Sequence, residues 1–195
     1  MRLAPIERPR GLFLRIAFWL SRRQAGAVIA PLKVIYARVP ALGLLGWRIA
    51  RTLERLSLEP GLRLLVATQS SLLNGCGFCA DLHRAQAVRA RLGQEKFLAL
   101  PDYATSPLFS ARERAILAYT EEVTRQRRAS DASFAELARH CDEREIVEIT
   151  WLNAASNYFN LLAVPLGIGS DGLLELALRR TRPPDSPGDP SVGGG

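Results

Sequence analysis

Apolar residues in this chain recur at intervals of three and four, and no run alternates apolar with polar residues as a half-buried strand would. That periodicity predicts an all-α fold. Breaks and caps divide it into helices. Residues 62–73 follow the break at Pro60-Gly61 and stop at Asn74-Gly75. The next helix opens at Cys76 and Cys79 and runs to about Leu92, closed by Gly93. Ser110-Ala-Arg-Glu113 is a capping-box arrangement opening a helix to about Arg127. Ser130 or Asp131 caps a short helix over 132–140. Asp142-Glu-Arg-Glu145 puts acids in the first turn of the longest apolar helix, 146–162, which Pro165 and Gly167 end or kink. A last short helix covers 173–180.

The stretch 24–50 carries Lys33, Arg38, Arg48, Pro31 and Pro40, too many interruptions for a spanning helix. It reads as two buried helices joined at Val39-Pro40. Residues 1–180 are expected to form one domain. The Pro/Gly/Ser-rich segment 181–195 is expected to be a disordered tail.

With 195 residues, 48% hydrophobic and 23% charged, the chain has the means to bury a sizeable core without staples. Its three cysteines, two in a Cys-x-x-Cys, argue for a reducing cytosol rather than a secreted disulfide framework, so a cytoplasmic location is expected. The net charge of +7 is concentrated early: residues 1–63 hold twelve Lys/Arg against Glu7, Glu54 and Glu59. These arginines are spread between apolar residues, with no basic stripe and no nucleic-acid motif. A solvated face is expected, with no nucleic-acid partner and no stable membrane insertion. Around 12–23, Phe13, Trp19 and Leu20 accompany Arg15, Arg22 and Arg23. That pattern suits a helix docked on a neighbouring subunit, or one lying on a membrane surface.

The chemistry concentrates in Asn74-Gly-Cys-Gly-Phe-Cys-Ala-Asp-Leu-His83. On a helix, Cys76, Cys79 and His83 share one face, with Cys79 and His83 one turn apart. The start of a helix lowers a thiol pKa, and a nearby imidazole can take its proton. A second thiol three residues away can resolve an oxidised sulfur into a disulfide. A zinc site would want more ligands than the pair His140 and Cys141 offers, and c-type haem attachment would want histidine where Ala80 stands. No metal or bound cofactor is expected. His140 and Cys141 are read as structural.

The segment 70–83 resembles the signature of the carboxymuconolactone decarboxylase-like superfamily, in its alkyl hydroperoxidase D (AhpD) branch. The stretches 110–124, 142–149 and 155–163 are similar to it as well, so the resemblance covers roughly 30–170. It implies an AhpD-like helical fold, assembly into a homo-oligomer (trimer or hexamer), and thiol-dependent reduction of hydroperoxides. By the same resemblance Cys79 is peroxidatic, Cys76 is resolving and His83 belongs to a proton relay. A dithiol reductant, a protein or a lipoyl carrier, would restore the pair.

Two relay positions differ. Leu64 stands where relatives carry a glutamate, and Phe78 where they can carry a histidine. Glu121, Glu148 and Asp81 are the acids available to substitute, although Asp81 faces away from Cys79 on a helix and is expected to cap or pair nearby. Trp151, Asn153, Asn157, Tyr158, Phe159 and Asn160 form an aromatic and amide cluster suited to core or subunit contact, or to a cavity over Cys79. Two other readings stand beside the peroxidase: a redox-responsive or structural oligomer without turnover, and lactone decarboxylation, which needs no thiols.

Overall fold

In the computed structural model, which describes residues 1–181, those residues contain nine α-helices and no strand. They are α1 (Leu12–Ala25), α2 (Pro40–Glu54), α3 (Pro60–Leu73), α4 (Gly77–Arg89), α5 (Glu95–Leu98), α6 (Ala111–Gln126), α7 (Asp131–Ala138), α8 (Glu143–Ala163) and α9 (Leu173–Thr181). A π-helical turn, Leu32–Tyr36, precedes α2, and a 3₁₀ turn, Leu100–Asp102, follows α5.

The centre is α3, which packs against α4, α6 and α8. Its residues from Leu65 to Ser71 are all buried, as a helix surrounded on several sides must be. Leu62 and Val66 join Ile116, Leu137 and Ile149 in one part of the core, and Leu65 joins Phe97, Leu100 and Phe109 in another. A third part gathers Val34, Cys76, Cys79, Val88 and Leu173 where α4 meets α9 and the π turn.

Local signals account for the helix starts. Ser110 and Asp142 each accept from the backbone N–H three residues on, while Glu113 and Glu145 reach back to the cap N–H, so both expected helix starts are closed capping boxes. Ser130, not Asp131, caps α7. Helix α4 stops at Arg89, short of the expected Leu92, because Arg91 turns left-handed at φ 57°. Thr181, expected to begin the tail, is still the last residue of α9, and the rest of that expected tail lies outside the described residues.

Of the two buried helices expected over 24–50, the junction at Val39-Pro40 is found, but the first is short and π-helical and the second is largely exposed. Pro31 and Pro40 bracket a single π turn, and Pro40 begins α2 in the position a proline tolerates. Helix α2 buries only Gly46, since it packs on the π turn and borders a cavity instead of lying on another helix. Leu44, Leu45 and Trp47 therefore remain exposed, while Leu42 and Leu53 are partly buried against the core. Among the described residues, no helix is long and apolar enough to cross a membrane.

Candidate active site

The site grows from the corner between α3 and α4. Asn74 caps α3 and donates from Nδ2 to the Ser70 carbonyl (2.9 Å) and to Asn157 Oδ1 on α8 (2.8 Å). Gly75 then takes φ +67°, a conformation that strains any residue with a β-carbon. This reversal delivers Cys76 to the N-cap of α4, where its sulfur accepts the Cys79 backbone N–H at 3.3 Å. Cys76 and Cys79 are joined as a disulfide, with Cα atoms 5.3 Å apart.

The two sulfurs have different surroundings. Cys76 is 1% exposed and is not on the wall of the neighbouring cavity; Cys79 lines it. The cavity, about 490 Å³, is enclosed by the π turn and α2, α3, α4 and α8. His83, one turn beyond Cys79 on α4, is on the same wall. Burial pushes its imidazole down to about 4, against a contact with the Ala67 carbonyl that pulls upward, so the ring is neutral at pH 7. Ser71 Oγ donates its one proton to the Ala67 carbonyl (2.7 Å) and lies 3.5 Å from His83 Nδ1. The result is a neutral base beside a cavity-facing sulfur.

The three acids suggested by the sequence are engaged elsewhere. Asp81 caps α9, accepting from the Leu173 and Leu174 backbone N–H groups and from Ser170 Oγ, each at 2.8 Å. Burial works to raise the Glu148 carboxyl, but hydrogen bonds from Ser57, Arg144 and the Leu58 backbone outweigh it and hold the group below the ordinary range. Glu121 accepts from Tyr103 (3.0 Å) and pairs with Arg125 (2.9 Å). None lines the cavity, whereas Leu64 and Phe78 both do. The relay positions are therefore present as apolar wall.

Of the α8 cluster, Phe159 lines the cavity, and Asn153 and Asn160 are fully buried. Asn153 Oδ1 accepts from Ser70 and Thr124 (2.9 Å each), locking α8 to α3 and α6. Trp151 is exposed. His140 is held 3.3 Å from Glu136, and Cys141 is a buried core thiol that burial pushes up. Glu54 and Tyr36 line the cavity without having been singled out by the sequence. Neither carries a motif, and Tyr36 lies in the stretch misread as buried helix.

The carboxymuconolactone decarboxylase family model matches residues 44–122, from α2 through most of α6. The uncharacterized protein YnjA of Escherichia coli K12 is 31% identical over 173 residues, covering 87% of this chain and 94% of its own. The chain belongs to the carboxymuconolactone decarboxylase family. Among solved structures, a protein of unknown function from Agrobacterium tumefaciens, described as an AhpD candidate in antioxidant defence, is 27% identical. It matches with TM-score 0.67 over 70% of this chain and 96% of that one. The debrominase Bmp8, solved with 2,3,4-tribromopyrrole, matches with TM-score 0.77 at 20% identity, over 92% of this chain and 97% of that one. Its likeness is one of fold. The helical architecture is the AhpD-like one expected, and of the Cys-x-x-Cys pair Cys79 lies on the cavity wall.

Proposed function

We propose that the protein is a dithiol peroxidase of the reducing cytosol, using Cys79 as the peroxidatic thiol, Cys76 as the resolving thiol and His83 as the base. The observation that carries this reading is the asymmetry of the disulfide: both cysteines are buried, but Cys79 lines the cavity and Cys76, at the helix start, does not. The Cys79 thiol gives its proton to His83, and the thiolate attacks the terminal peroxide oxygen. The S–O bond forms as the O–O bond breaks, giving a sulfenic acid and an alcohol. Cys76 then attacks the sulfenic sulfur and releases water, leaving the disulfide.

Reduction reverses the roles. A thiolate of a dithiol carrier, such as a lipoyl group, attacks the cavity-lining Cys79 sulfur, and Cys76 departs as a thiolate. The Cys79 N–H already contacts that sulfur, and the positive helix end favours its charge, so it is the better leaving group. The carrier's second thiolate then releases Cys79, and the carrier becomes a disulfide.

The test is mass spectrometry of the reduced protein after one equivalent of an organic hydroperoxide. Wild type is expected to form the Cys76–Cys79 disulfide, Cys76→Ser to stop at a Cys79 sulfenic acid, and Cys79→Ser to leave the peroxide unconsumed. Peroxide consumption that survives Cys79→Ser would overturn the assignment.

A further inference from the structure

The cavity wall carries one phenol that the disulfide chemistry does not use. Tyr36 closes the π turn Leu32–Tyr36, an element common at functional sites because its extra residue redirects a side chain. Its ring lies in a slot made by two glycines one turn apart on α2. A β-carbon on Gly43 would stand 3.4 Å from Tyr36 Cβ, and one on Gly46 3.3 Å from the Tyr36 hydroxyl and 3.4 Å from Phe159. The glycines thus let α2 approach closely enough to hold the phenol against the cavity.

The hydroxyl is free to serve a ligand. Tyr36 lines the cavity together with Cys79 and His83, and among the described residues its partly buried side chain makes no hydrogen bond to another protein group. The other polar groups on this wall are occupied or lie where the cavity meets solvent. Ser156 donates to the Leu152 carbonyl (2.8 Å), Arg63 to the Leu53 carbonyl (2.6 Å), and Glu54 and Gln86 are exposed. A donor without a partner on an apolar wall is held ready for an oxygen that arrives with substrate. Burial first, and the neighbouring Tyr158 second, push its pKa up to about 12, so it remains a donor throughout the physiological range.

Resting on the dithiol-peroxidase reading, we propose that Tyr36 is a catalytic acid that hydrogen-bonds the carbon-linked oxygen of a hydroperoxide and protonates it as the O–O bond breaks. As the Cys79 thiolate forms its bond to the terminal oxygen, the electron pair of the O–O bond goes to the departing alkoxide. The alkoxide, more basic than a phenolate, takes the Tyr36 proton and leaves as alcohol. The proton that His83 accepted from Cys79 returns through water to the phenolate, which restores both groups. This supplies, from another residue of the cavity wall, the proton transfer for which Leu64 and Phe78 have no group.

The experiment compares reduced wild type and Tyr36→Phe in single-turnover oxidation by tert-butyl hydroperoxide and by peracetic acid, with iodoacetamide alkylation of Cys79 alongside. A carboxylate leaving group needs no proton, so the two oxidants separate acid catalysis from site integrity. Expected is a loss of about 10²-fold with tert-butyl hydroperoxide, with the peracid and alkylation rates retained. Equal rates for both proteins with both oxidants would overturn the role. A parallel fall in all three rates would also overturn it, making Tyr36 a support for the fold. Wild type inert toward both oxidants would instead remove the dithiol-peroxidase reading, and the acid role with it.

Discussion

His83 shows how burial sets a side chain's chemistry. Its pKa of about 4 in the folded protein lies below the 6.5 of an exposed imidazole. Between those values the unfolded chain binds a proton that the folded chain excludes. Stability from this group is thus complete above pH 6.5 and is lost as pH falls toward 4, by about 3 kcal/mol in all. Urea unfolding of the disulfide form at pH 7 and pH 4 is expected to show this fall, and a His83→Gln variant to show correspondingly less of it. Identical pH dependence in the two proteins would mean that the ring is hydrated in the folded state. For catalysis the same burial leaves the ring neutral at pH 7 and a weaker base than an exposed imidazole, so it can relay a proton from Cys79 but not hold it.

Helices reveal which parts of the architecture could be read in advance. The starts of α6 and α8 were legible because a capping box is local, with cap and partner three residues apart. The α3–α4 corner was legible for the same reason, through Asn74-Gly75. The cavity was not, because it depends on α2 bordering an open space, and no local pattern distinguishes that from burial. Tyr36 was hidden with it, since its importance comes from Gly43 and Gly46, across the break at Pro40, and from Phe159, which is distant in sequence. Asp81 was half legible: its spacing turned it away from Cys79, but its partners lie about ninety residues on. It ties α4, the helix carrying both site thiols, to the start of α9. Asp81→Ala is expected to cost about 1–3 kcal/mol and to accelerate amide hydrogen exchange in α9 while leaving α6 unchanged. Uniform acceleration across both helices would show that Asp81 supports the whole fold and not that junction.

Beyond the single chain, α1 carries two apolar faces where an isolated protein needs one. Leu14, Phe18, Ser21 and Ala25 are buried, while Leu12, Phe13, Ile16, Trp19 and Leu20 are exposed. Helix α2 adds Leu44, Leu45 and Trp47. The indoles of Trp19 and Trp47 are 55% and 58% exposed, with the guanidinium groups of Arg23 and Arg51 over them at 5.5 and 5.7 Å. An arginine seated on an indole keeps its charge beside the apolar face, a combination favoured at protein interfaces. A second copy of the chain is therefore the occupant we expect, in line with the homo-oligomer implied by the family resemblance. Covering one large side chain contributes about 1.5–3 kcal/mol, and replacing two by carboxylates adds a desolvation cost to that loss. Ile16→Glu with Trp19→Glu is then expected to weaken association by at least ~10²-fold. Sedimentation velocity is the measurement: wild type should run as a multiple of the 21.5 kDa chain, and the double variant as the single chain. A monomeric wild type that co-sediments with anionic vesicles through Arg15, Arg22 and Arg23 would instead give this face to a membrane surface.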